Sequence, residues 1–245
     1  GGVLIDSDLV AINIVDTILP VVVSVAALTA DGHYRAGATI DLSVTFSEVV
    51  NVTTVAGVPT LGLATGASHR VATYLGGGGS AVLIFRYIVA AGDMSDDLNH
   101  ESINALLLNG GAIQDAAGNA AQLSLPATTV GTLGALATNA AIIVDTAAPT
   151  VVLSAPSTTQ TSVGPISFTV TYADANLALP TLSSADVTLH RSVSGVGLVA
   201  ANGLVTVSGT GATRTVTISN VSGDGTLSIS LAAGTGSDLA GNLTP

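Results

Sequence analysis

Asp115 and Asp238 each open the same short motif, "DAAGN" at 115–119 and "DLAGN" at 238–242. Each also has two acidic companions upstream: Asp16 and Glu48 before the first, Asp145 and Asp174 before the second. Taken singly, Asp, Gly and Asn are turn formers, because Asx side chains bond nearby backbone and Gly accepts positive φ. Taken as a set, three carboxylates suggest different chemistry. At ~5 Å each pair repels by about 0.8 kcal/mol even in water, and by more when shielded. The chain has no Lys, and its five basic residues, Arg35, Arg70, Arg86, Arg191 and Arg214, are distant in sequence from these acids. A hard divalent cation is then the natural counter-charge, and calcium accepts carboxylate and carbonyl oxygens in flexible geometry. One copy reads as a turn. Recurrence of all three acids in the same order favours a metal.

Whether the acids meet depends on the elements that carry them. The segments "TIDLSVTFSEV" (39–49), "SAVLIFRYIVA" (80–90), "PISFTVTYA" (165–173), "ATRTVTISNV" (212–221) and "GTLSISLAA" (225–233) alternate or run with β-branched residues between turn signals. "ILPVVVSVAAL" (18–28) reads as a buried strand, and only "SDDLNHESINALLL" (95–108) permits helix. Gly, Asn and Asp punctuate the chain at the spacing of a β-sandwich. "LGGGGS" (75–80) lacks a following Lys and lies between strands, so it reads as a hairpin loop, not a phosphate cradle.

The chain repeats itself. "INIVDTILPVVVSV" (12–25) matches "AIIVDTAAPTVVLS" (141–154), "SVTFSE" (43–48) matches "TVTYAD" (169–174), and "DAAGN" matches "DLAGN". Two homologous domains follow, at 17–145 and 146–245, with residues 1–16 a terminal strand belonging to a preceding or neighbouring domain. The second domain lacks a counterpart of the first domain's last strand, "AAIIV" (140–144). In a seven-stranded sandwich, the residue before the first strand, the end of the second and the sixth-to-seventh corner share one pole. Asp16, Glu48 and Asp115 should meet there in the first domain, and Asp145, Asp174 and Asp238 in the second. Asn119 and Asn242 would hold the turn or add a carbonyl ligand. Asp93, Asp96 and Asp97, in "AAGDMSDDLN" (91–99), should face the second linker, where they either reach its site or form a solvated acidic loop.

Composition narrows the function classes. A net charge of −11 disfavours nucleic acid and anionic membrane surfaces. No apolar run approaches the ~18 residues of a membrane helix, so no membrane insertion is expected. Cysteine is absent, which removes disulfides, thiolate metal sites and Cys nucleophiles. The four His are isolated, no nucleophile elbow appears and Trp is absent. No catalytic residue is assigned, and the chain reads as a non-enzyme.

"VDTxAP", "VTFSE", "VAAGD" (89–93), "LNGGAIQDAAGN" (108–119) and "GDGTLSISLAAGTGSDLAGN" (223–242) together resemble the tandem bacterial immunoglobulin-like repeats of large secreted adhesins and surface proteins. The resemblance covers nearly the whole chain. It implies an all-β fold of two tandem immunoglobulin-like antiparallel β-sandwiches in an elongated rod, at the bacterial cell surface. It further implies that aspartates near the linkers bind calcium between domains and stiffen the array, a role carried here to Asp16, Glu48, Asp115, Asp145, Asp174 and Asp238. The expected partners are neighbouring domains of the same protein or further copies of it, head to tail. In the second case residues 3–15 would complete another copy's second domain by donor-strand complementation. Competing expectations are a glycan-binding adhesin module and an accessory domain of a secreted hydrolase.

Overall fold

The computed structural model describes residues 15–245, so residues 3–14 of the expected donor segment lie outside the described residues. The N-terminal half carries β1 (Val22–Ala27), β2 (Gly32–Tyr34), β3 (Thr39–Thr53), β4 (Thr60–Leu63), β5 (Arg70–Gly76), β6 (Ser80–Ile88), β7 (Met94–Ser95), β8 (Leu106–Leu107), β9 (Ala112–Gln114) and β10 (Ile142–Asp145). The C-terminal half carries β11 (Thr150–Leu153), β12 (Ile166–Ala173), β13 (Val187–Arg191), β14 (Asn202–Ser208), β15 (Thr213–Ser222) and β16 (Leu227–Leu231). Among the described residues, helix is confined to one turn at Leu136–Asn139 and a 3-10 turn at Ser184–Asp186. The chain is thus nearly all β. Its strand ladders are antiparallel except β10 beside β2, an architecture compatible with a β-sandwich.

β3 shows how sequence pattern becomes architecture. Its alternate residues Ile40, Leu42, Val44 and Phe46 are buried, as a strand with one face on a core requires. It lies between β1 and β6 in the sheet β1-β3-β6-β5-β4-β8. Past Thr45 its register with β6 breaks, with Thr45 opposite Val82 but Val50 opposite Ser80. The extra residues of this bulge bend the strand, and its last residues, Asn51 to Thr53, pair with β9 instead. Val21 and Ser47 pin the bulge with Val21 N donating to Ser47 Oγ (3.0 Å) and Ser47 N to Val21 O (2.9 Å). Glu48 sits on that bulge.

The N-terminal core closes with β10. This strand runs parallel to β2 and antiparallel to β7, and its Ile142 and Val144 are buried with Phe85, Leu63 and Leu98. The stretch 95–108, read as helix-permissive, instead forms turns, β7 and β8. Leu98 and Leu106 are drawn into the core, and His100 bonds Pro126 O through Nε2 (2.8 Å), so tertiary contacts override local propensity.

In the C-terminal half, a four-stranded sheet β11-β12-β15-β14 faces the two-stranded β13-β16. Phe168, Val170, Tyr172, Val216 and Ile218 of the larger sheet pack with Val187, Leu189, Leu227, Ile229 and Leu231 of the smaller. The expected strand "ILPVVVSVAAL" is β1, half-buried with only Val25 fully enclosed. "LGGGGS" spans the end of β5, the connection to β6 and its first residue, as a hairpin loop should.

Candidate metal centres

The two sets of acids each converge. One carboxylate oxygen from each of Asp16, Glu48 and Asp115 lies within 4.8 Å of the others, and the same holds for Asp145, Asp174 and Asp238. Two ligands on one calcium ion are separated by at most about twice the 2.3–2.6 Å bond length, so a single ion fits this spread. Each set is assembled by the same three elements. The linker residue precedes the first strand, the second acid lies at or past the end of the buried strand (β3 or β12), and the third opens the Asp-x-x-Gly-Asn turn.

The turns match atom for atom. In the first, Asn119 donates from its backbone N to Asp115 Oδ1 (2.8 Å) and from Nδ2 to Asp115 Oδ2 (2.6 Å) and Asp16 O (3.1 Å). In the second, Asn242 makes the same bonds to Asp238 Oδ1 (2.8 Å), Asp238 Oδ2 (2.6 Å) and Asp145 O (2.9 Å). Gly118 and Gly241 have φ of 90° and 86°, the left-handed geometry that lets the chain double back within the motif. Ile18 N and Ala147 N donate to Asp16 Oδ1 and Asp145 Oδ1, each at 3.0 Å. The two asparagines therefore meet the clusters as donors that orient the acids and tie the turn to the linker.

The sets differ in their second acid. Glu48 comes from the bulge, and its Oε1 is buried without a hydrogen-bond partner among the described residues. Loss of solvation, then the charges of Asp16 and Asp115, hold its carboxyl above the ordinary value of 4.5. Burial pushes Asp115 up, but the bonds from the Asn119 side chain and from the Asn119, Ala117 and Gly118 backbone outweigh it and hold Asp115 below its ordinary value. In the second set Asn176 intervenes, donating from Nδ2 to Asp145 Oδ2 (3.0 Å) and from N to Asp174 Oδ1 (2.7 Å). Asn176 was not foreseen; its only signal is "DAN" at 174–176 where the first repeat has "EVV".

No basic side chain offsets either set. The ion pairs among the described residues are His69–Glu101, Arg70–Asp93 and Arg86–Asp41. Asp93 is thereby held away from the second cluster. It is fully buried, accepting from Arg70 Nε (2.7 Å), Tyr87 Oη (2.7 Å) and Ala90 N (2.8 Å). Asp96 and Asp97 are exposed and stand outside both groups. The loop holding them does meet the linker, since Gly92 N donates to Thr146 Oγ1 (3.0 Å) and Thr146 Oγ1 to Asp93 O (3.1 Å). Arg35 adds a contact that the sequence did not announce, with Nη1 donating to Gly241 O (2.8 Å) across 206 residues.

No protein-family model matches the chain, and no curated protein matches it in sequence.

Proposed function

We propose that the chain is a structural rod module of a bacterial cell-surface adhesin, stalk or extracellular fibre, built of two tandem immunoglobulin-like sandwiches, 17–145 and 146–245. Calcium at the linkers stiffens the array. The observation that carries this reading is the duplication of one carboxylate cluster, with the same asparagine clamp, at both linkers. Turn formation alone explains the Asp-Gly-Asn geometry. It does not explain why a linker aspartate and a third acid from a buried strand join each turn without a cation beside them.

An ion bound to Asp145, Asp174 and Asp238 would tie the linker to the second sandwich on both sides of the hinge. Arg35 and Thr146 already hold the first sandwich to that joint, so the ion would remove the remaining freedom. Extracellular calcium modules commonly bind at roughly 10⁻⁴–10⁻³ M, weak enough to suit calcium-rich surroundings. Calorimetric titration of the metal-free chain should show two binding events. Asp115→Ala should remove one and Asp238→Ala the other; a titration with no saturable heat in any of the three proteins would contradict the proposal.

A further inference from the structure

The C-terminal half contains an open cleft of about 400 Å³ between its two sheets, lined by Ile166, Phe168, Ile218, Val221 and Leu227 and by the segment around Thr158–Thr161. Its position has a counterpart in the N-terminal half. There, β10 lies between β2, the segment that follows β1, and β7, the strand that follows β6. In the C-terminal half the segment that follows β11 and the strand that follows β15 line the cleft, and among the described residues no strand lies between them. The packing agrees. Ile142 and Val144 of β10 are 0% and 2% exposed. The inward residues of β16, Leu227, Ile229 and Leu231, have no such neighbour and remain half-buried. The edge of β16 away from β13 also keeps unpaired backbone groups, a template for one more strand.

The sequence carries a second strand of β10 type. Residues 12–16 align with 141–145, placing Val15 over Val144 and leading into the same Asp-Thr linker. Val15 is 70% exposed where Val144 is buried. We propose that residues 3–15 of a second copy of this chain enter the cleft as the missing strand and join the copies head to tail. The direction fits. A strand laid antiparallel to β16, as β10 is to β7, would leave the cleft at the end remote from Asp238 and place its Asp16 at a new linker there. Within one chain the segment starts from the pole holding Asp16, and the cleft opens at the far end of the other half, so the strand comes from another molecule. Repeating a contact that does not close yields a filament. This inference rests on the tandem-sandwich reading but not on calcium.

One position sharpens the test. Asn13 stands where β10 has Ile142, so in this register its amide would enter an apolar cleft. A peptide of residues 3–16 should bind the chain lacking residues 1–15 saturably, in chelator as well as in calcium. Asn13→Ile should tighten that binding about tenfold by removing an unpaired buried amide, and Val15→Asp should abolish it. Sedimentation and electron microscopy of the full chain should show concentration-dependent linear assembly, absent from the chain without residues 1–15. Equal assembly of the truncated chain would overturn the proposal, as would a peptide that fails to bind. A peptide that binds while the full chain stays monomeric would assign the cleft to a strand other than a second copy's, and would overturn it too. Loss of calcium stiffening with assembly intact would count against the proposed function alone.

Discussion

The side-chain amide of Asn242 reaches back across 97 residues to the backbone oxygen of Asp145, 2.9 Å away, as the amide of Asn119 reaches Asp16 at 3.1 Å. Each asparagine also donates to its own motif's aspartate. One side chain thus couples a late turn to a linker at the start of the same repeat. The linker's path and the cluster's geometry are fixed together.

Asn242→Ala removes two of these bonds and should cost the C-terminal half about 1–2 kcal/mol in denaturant unfolding, with weaker calcium binding. Asn242→Asp keeps the shape but adds a fourth carboxylate. It should be destabilised in chelator and recover in calcium, whereas a turn with no metal role would show no recovery.

Glu48 sets a pH dependence. Its folded carboxyl titrates above 4.5, so in the metal-free protein its contribution is complete below that value and is lost as pH rises through the raised one. Asp115 runs oppositely: its contribution is complete above 3.8 and lost as pH falls below it. Thermal melts across the acid range, without calcium, should show the Glu48 loss abolished in Glu48→Gln. That variant should also weaken binding at the first cluster, and calcium affinity of the native chain should fall as pH drops into the Glu48 range.

Asp93 is a structural anchor. Replacing it with Ala strands the Tyr87 hydroxyl and Ala90 N and releases Arg70, which should cost about 2–3 kcal/mol in unfolding experiments. Calcium titration of Asp93→Ala at a temperature where it is folded should match the native chain. A lost binding event would place Asp93 in the second site.

Much of this was legible from residue order, because its causes are local. Alternation marked β3, β6, β12, β15 and β16, and the linker repeat marked where strands begin. The acids of each cluster could be grouped because strand direction in a sandwich dictates which loops share a pole. Long-range pairing was not legible. Nothing near "AAGD" tells that Arg70, on a neighbouring strand, captures Asp93, or that Arg35 spans the joint to Gly241. The bulge that carries Glu48 out of register also leaves no mark, since "VTFSEVVNVT" reads as one unbroken strand. The stretch 95–108 misled because its helix-compatible composition is overruled by Leu98, Leu106 and His100 entering the core.

Calcium-dependent stiffening is the central claim, and small-angle scattering of the chain with calcium and with chelator tests it most directly. The proposal predicts a single extended particle in calcium, and in chelator a broadened distance distribution with bending at the joint. That change should be lost in Asp145→Ala, which removes the linker acid of the second cluster. Identical scattering curves in the two conditions, with both proteins folded, would contradict a stiffening role for calcium.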